Sequence, residues 1–160
     1  MDPKRLFEDP RLTTIGLFLE VHEGLLAKLE PTWREYGLSG LDLNALMRLS
    51  RSPGRKLRMI DLAAQTGLST SGVTRLVDRL ERNGFVRRES APGDRRSFFA
   101  VLTAAGATRV ARVLPAYLDA VDEWFIGRLS AEQLDAMVAG LRVIRDAVHP
   151  DAERTSDGSR

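Results

Sequence analysis

The residues with the most capacity for chemistry lie between Ser69 and Arg96. Val73, Leu76, Val77 and Leu80 fall at i, i+3, i+4 and i+7, so a helix through them buries one face. That helix turns Thr70, Ser71, Thr74, Arg75, Asp78 and Arg79 outward. Serine and threonine hydroxyls can reach phosphate oxygens or base edges. Arg75 offers a guanidinium fork that pairs bidentately with guanine, worth roughly 1–3 kcal/mol of base discrimination. The unsatisfied amides at the helix start favour a phosphate, and Arg79 and Arg82, further along, suit phosphate better than base. A second cluster, Pro92-Gly93-Asp94-Arg95-Arg96, has the composition of a narrow hairpin tip. Arg95 or Arg96 at such a tip can enter a minor groove, where A·T-rich narrowing deepens the negative potential. Asp94 would be repelled by phosphate. Its better role is internal, accepting hydrogen bonds from Arg96 or a loop amide so that the tip is organised before binding. The alternatives are a solvated arginine-bearing helix and an ordinary Asx-type turn with flanking charges.

Other chemistries find little support. The 160 residues include no cysteine, which removes disulfide scaffolds, Cys-ligated zinc, iron–sulfur clusters and thiol redox sensing. The two histidines, His22 and His149, stand far apart, against a His-based metal or acid–base centre. There is no nucleophile with a base in range, no Gly-rich phosphate loop, no HExxH and no paired-carboxylate spacing. The chain is expected not to be an enzyme and to need no cofactor. No secretory signal and no apolar run near the ~20 residues of a membrane span is present, so a cytoplasmic protein with no membrane partner is expected.

Charge is partitioned along the chain. Residues 51–112 hold 13 Lys and Arg against 5 Asp and Glu, a local balance of +8, while the rest of the chain stands at −6. A basic middle between acidic flanks is the electrostatic footprint of a nucleic-acid surface built into a larger scaffold.

Several helices must position these groups. A wide apolar stripe predicts a helix over Leu12 to Tyr36, interrupted by Pro31 through a kink or a second helix start. Ser39 and Asp42 resemble a capping pair ahead of a helix over about Leu41 to Ser50, ended by Ser52-Pro53-Gly54. Two further helices, Met59 to Thr66 and about Thr70 to Asn83, are separated by Thr66-Gly67-Leu68-Ser69, with Ser69 as N-cap and Gly84 as the stop. That glycine-containing turn matches a helix-turn-helix connection. The β-favouring runs Phe85–Glu89 and Ser97–Leu102 bracket a polar seven-residue loop and read as a hairpin. Thr103 caps a helix from about Ala104 to Arg128 around Pro115, Ser130 opens one from Ala131 to about Val148, and His149-Pro150 ends it. Residues 151–160 are expected to be a disordered tail.

Helix, turn, helix and an arginine-bearing hairpin make the winged helix-turn-helix layout. The run Leu62-Ala63-Ala64-Gln65-Thr66-Gly67-Leu68-Ser69, the run from Val73 to Arg88 and Gly93-Asp94-Arg95-Arg96 leading to Leu102-Thr103 resemble the MarR family of bacterial transcriptional regulators. The resemblance spans about Leu41 to Thr108. It implies a homodimer whose first and last helices interlock and whose two winged lobes read a palindromic operator in double-stranded DNA. It further implies repression relieved by a small, often phenolic or anionic, ligand between the dimer helices and the DNA-binding lobe. It places Ser69, Thr70, Ser71, Thr74 and Arg75 at contact positions of the recognition helix and Arg95 at the wing tip. Arg58 departs from the pattern where a capping Ser or Thr is common, and the cysteine that a redox-sensing branch needs in its first helix is absent.

The expected fold class is therefore mainly α with a small β-hairpin wing. Residues 1–37 form an N-terminal dimerisation helix, 38–103 the DNA-binding lobe and 104–150 the C-terminal helices that complete the dimer interface. The terminal helices carry more apolar surface than one small lobe can cover, which points to a partner copy, unless they pack on each other within one chain. Candidate effector-pocket residues by position are His22, Trp33 and Arg48, with Tyr36, Asn44, Met47 and Arg51 nearby. The competing function is a winged-helix protein-interaction module that never touches DNA.

Overall fold

A computed structural model describes residues 6–91 and 94–155, with the backbone alone for residues 94–96. Helix α1 spans Pro10–Arg34 and begins on an Asp9 cap whose carboxylate accepts from the Arg11 amide at 2.9 Å, with proline in the first turn. It runs through Pro31 as a single helix rather than restarting there. Proline deletes one hydrogen bond near the last turn, and burial of Leu29 and Trp33 on either side holds that turn in place. Helix α2 spans Gly40–Arg51 and carries a reciprocal capping box, with the Ser39 hydroxyl accepting from the Asp42 amide and the Asp42 carboxylate from the Ser39 amide.

A turn at Pro53–Arg55 with left-handed backbone at Gly54 and Arg55 leads into β1, Lys56–Arg58. This strand is absent from the sequence expectations. Helices α3, Met59–Thr66, and α4, Thr70–Arg82, follow as expected, with Gly67 at φ 68° between them. The hairpin strands β2, Val86–Ala91, and β3, Asp94–Leu102, extend into what reads in sequence as loop, since Ala91 pairs with Asp94 beyond an irregularity at Ser90. Both neighbours of β3 are antiparallel, in the order β1-β3-β2.

Helix α5, Ala104–Trp124, contains Pro115 and stops short of the expected Arg128, giving way to a 3-10 turn at Ile126–Arg128. Its start is locked at Thr103, whose hydroxyl accepts from the Gly106 amide at 3.0 Å and donates to the Gly84 carbonyl at 2.6 Å. Gly106 is required there: a Cβ would stand 2.2 Å from the Phe85 carbonyl oxygen. Helix α6, Ala131–Val148, opens on a Ser130–Gln133 capping box.

The main core joins α1 to α5 and the sheet, with Leu43, Leu46, Leu49, Leu62, Leu76, Leu80 and Val113 fully buried, and Ala91, Phe99 and Val101 form a second, smaller cluster. The periphery differs. Helix α6 buries no residue, and Val143 and Val148 are 72% and 76% exposed. On α1, Leu12, Ile15, Leu17, Phe18, Leu19, Val21 and Leu26 are exposed as well. The chain after α6 does not simply fray. Pro150–Glu153 forms a 3-10 turn that buries Ala152, correcting the expected disorder for residues 151–155, while residues 156–160 lie outside the described ones.

Candidate nucleic-acid interface

Helix α4 is the most strongly two-faced element. Val73, Leu76, Val77 and Leu80 are buried, and Thr70, Ser71, Thr74, Arg75 and Asp78 are exposed, as the spacing predicts. The Ser69 hydroxyl accepts from the Gly72 amide at 3.1 Å and lies 3.2 Å from the Ser71 hydroxyl. The Thr74 hydroxyl donates to the Thr70 carbonyl at 2.8 Å. Both hydroxyls therefore have structural work, while Arg75 extends from the exposed first half of the helix.

Arg79, expected at phosphate, also has a partner within the protein. Its Nε and Nη2 donate to one oxygen of Asp42 at 3.0 and 2.6 Å, tying the middle of α4 to the start of α2. Asp42 is buried, and its other oxygen accepts from the Ser39 amide and hydroxyl at 2.9 and 2.7 Å. The side chain of Arg82 turns back to the Asp78 carbonyl at 3.3 Å.

The wing is fixed to α4 by Arg88, which the sequence does not single out. From β2 its guanidinium donates to Asp78 at 2.7 Å and Glu81 at 2.6 Å, with a longer contact to the Thr74 carbonyl. Its amide donates to the other Glu81 oxygen at 3.1 Å. Burial pulls the Arg88 pKa down, but hydrogen bonds and the charges of Asp78 and Glu81 outweigh it and leave the group raised, so it stays protonated. Asp78, outward-facing in sequence, is thus partly spent on holding the wing. On the opposite sheet face, Lys56 and Arg58 lie 4.8 and 5.2 Å from the ring centre of the buried Phe99, and Arg87 pairs with Glu89.

The strand pairing brings the backbones of Asp94, Arg95 and Arg96 to the tip end of the hairpin. Their side chains, and Pro92 and Gly93, lie outside the described residues, and with them the expected Asp94 contact.

The effector candidates do not converge. His22 is exposed on α1, stacked on Phe18 with ring centres 6.5 Å apart. Trp33 is buried in the core beside Tyr117 at 6.2 Å, and the Tyr36 carbonyl accepts from Arg109 at 2.9 Å. Asn44, Met47, Arg48 and Arg51 do come together, on the wall of an open cleft of about 440 Å³ shared with Gln65 and Ala152. Arg48 donates there to Asn44 at 2.7 Å and the Ala152 carbonyl at 2.7 Å, and its desolvation lowers its pKa against the opposing charge of Glu153. Among the described residues no group of His, Cys, Asp and Glu is arranged to hold a metal, and no helix is long and apolar enough to cross a membrane.

Three comparisons agree with this geometry. The family model for the MarR family matches residues 36–97, from the end of α1 to the wing. Transcriptional regulator HosA of Escherichia coli O111:H- is 35% identical over 105 residues, covering 64% of this chain and 75% of HosA. The crystal structure of AbsC, a MarR family transcriptional regulator from Streptomyces coelicolor, superposes with a TM-score of 0.83 at 34% identity, over 89% of this chain and 96% of AbsC. Sco3205, a MarR family transcriptional regulator of the same organism solved in complex with DNA, gives 0.81 at 32% identity, over 86% of this chain and 87% of Sco3205. With the helix-turn-helix unit, the wing and these relatives in agreement, this chain is a member of the MarR family of transcriptional regulators.

Proposed function

We propose that this protein is a homodimeric repressor that binds a palindromic operator in double-stranded DNA and is released by a small anionic or phenolic ligand. The observation that carries the reading is the fixed pairing of two DNA-facing elements: the exposed start of α4, with Thr70, Ser71 and Arg75, is held against the wing by Arg88. Arg75 and the helix start enter the major groove, and Arg95 and Arg96 carry the wing tip to the minor groove. Sco3205, solved with DNA, is one support for this use of the fold. The exposed apolar faces of α1 and α6 favour a second copy, since patches of that kind on an isolated chain mark association surfaces. The cleft beside Arg48 and Arg51, at the junction of α2 with the turn that follows α6, is where an anionic ligand would find cationic groups.

A protein-only interaction module is the weaker reading, because it has no use for a balance of +8 across residues 51–112 beside acidic flanks. The test is binding of duplexes selected from genomic fragments, followed by salt titration on the selected palindrome. Affinity is expected to fall by orders of magnitude between about 50 and 200 mM salt as phosphate contacts release counterions, with half-sites about 10 bp apart. A salt-insensitive interaction, or a particle of 17.8 kDa by light scattering at micromolar concentration, overturns the reading.

A further inference from the structure

We infer that Gln65 and Arg48 are positioning residues for DNA recognition: they clip the chain that follows α6 onto α2 and α3 and so hold the DNA-reading lobe at one angle to the dimer helices. The inference rests on the proposed two-half-site reading. Gln65 is a buried polar side chain on the last turn of α3, and both ends of its amide are engaged. Its Nε2 donates to the Arg154 carbonyl at 2.6 Å, and its Oε1 accepts from Arg48 Nη1 at 3.3 Å. The same Arg48 nitrogen donates to the Ala152 carbonyl at 2.7 Å. Around these bonds the Ala152 methyl is buried, His149 Nε2 stands 2.8 Å from the Ala64 carbonyl of α3, and Arg145 of α6 reaches Glu153 at 2.5 Å.

The placement gives this strap a mechanical meaning. Helix α6 buries nothing of its own in the lobe, yet its end is fastened to the helix that precedes the recognition helix. The lobe is joined to α1 through the buried Leu29 and Trp33 and to α5 through Val110 and Val113, and the strap adds α6, which has no buried residue of its own. Without the strap α6 is free to shift against the lobe, whereas with it the lobe and α6 keep one orientation. A fixed orientation matters only when both lobes engage one duplex, because the second contact depends on effective concentration and geometry. Contacts to a single half-site do not depend on it.

The experiment compares the intact chain with Gln65→Leu, Ala152→Arg and the double variant on three duplexes: a single half-site, the selected palindrome, and that palindrome with about 5 bp inserted at its centre, which turns one half-site to the opposite face. The intact chain is expected to prefer the selected spacing by about 100-fold, falling to about tenfold or less in each variant. Half-site affinity stays within about twofold, and the double variant matches the singles because both cut the same clip. Variants that keep the intact preference, a half-site affinity that falls in parallel, or losses that simply add overturn the inference. An intact chain that binds the half-site but has no spacing preference overturns the two-half-site reading beneath it.

Discussion

Replacing Arg79 with methionine keeps most of the apolar stem and removes the guanidinium, which separates two roles for one residue. As the link to Asp42 it holds α4 against α2; as a phosphate contact it would hold DNA. The magnitude follows from burial. Exposed ion pairs contribute about 0–1 kcal/mol, and breaking a buried one costs about 3–5 kcal/mol. With side-chain exposures of 42% for Arg79 and 7% for Asp42, this pair lies between those limits, at about 1–2 kcal/mol. Asp42 keeps its bonds from Ser39 when Arg79 is lost, which holds the estimate near the lower bound. For a chain of this size that energy lowers Tm by about 2–8 °C. The assay pairs thermal melts of Arg79→Met, Asp42→Asn and the double variant with salt titrations of operator binding. The expected result is a lower Tm, a coupling of about 1 kcal/mol in the cycle, and a salt slope that changes by less than the roughly one unit that loss of a phosphate contact produces. An unchanged Tm with a slope reduced by about one would refute the anchoring role.

Three more outcomes follow. Arg75→Ala is expected to relax base preference at one position per half-site by about 1–3 kcal/mol, measured on a panel of single-base operator variants; equal loss on every sequence makes Arg75 a phosphate contact. Arg95→Ala is expected to weaken operator binding while leaving the melt unchanged, and unaltered affinity removes the wing tip from the interface. Gly106→Ala drives a methyl to 2.2 Å from the Phe85 carbonyl oxygen and 2.8 Å from Leu102, so it is expected to cost about 2–3 kcal/mol. A Tm equal to that of the parent would mean that α5 backs away from the wing root without penalty.

The parts of the fold legible in the sequence are those specified by local chemistry. The α3–α4 pair follows from apolar spacing, the Ser69 cap and two glycines whose positive φ ends each helix. The capping boxes at Ser39 and Ser130 likewise announce α2 and α6. What stayed hidden depends on partners far along the chain. Strand β1 is three residues long, too short for an alternation pattern, and exists because Phe99 to Val101 lie beside it. The bond of Arg79 to Asp42 spans 37 positions and that of Gln65 to Arg154 spans 89, so neither leaves a periodic trace. Residues 151–155 read as frayed because they are polar. They are ordered by carbonyls accepting from Arg48 and Gln65, and hydropathy carries no signal for such bonds. Arg88 lies inside the family-like run, but its two carboxylate partners become neighbours only when β2 folds back on α4.

The Arg88 fastening has a consequence for which operators can be chosen. Since the span from α4 to the wing strands is set by ionic bonds within the protein, the reading head behaves as a gauge of constant width. Any mismatch between that width and the local form of the duplex must be absorbed by the nucleic acid. Stiff tracts with an unsuitable groove pay that elastic cost in full, and pliant steps pay less. Selection would therefore reach bases that no side chain touches, through how readily they deform.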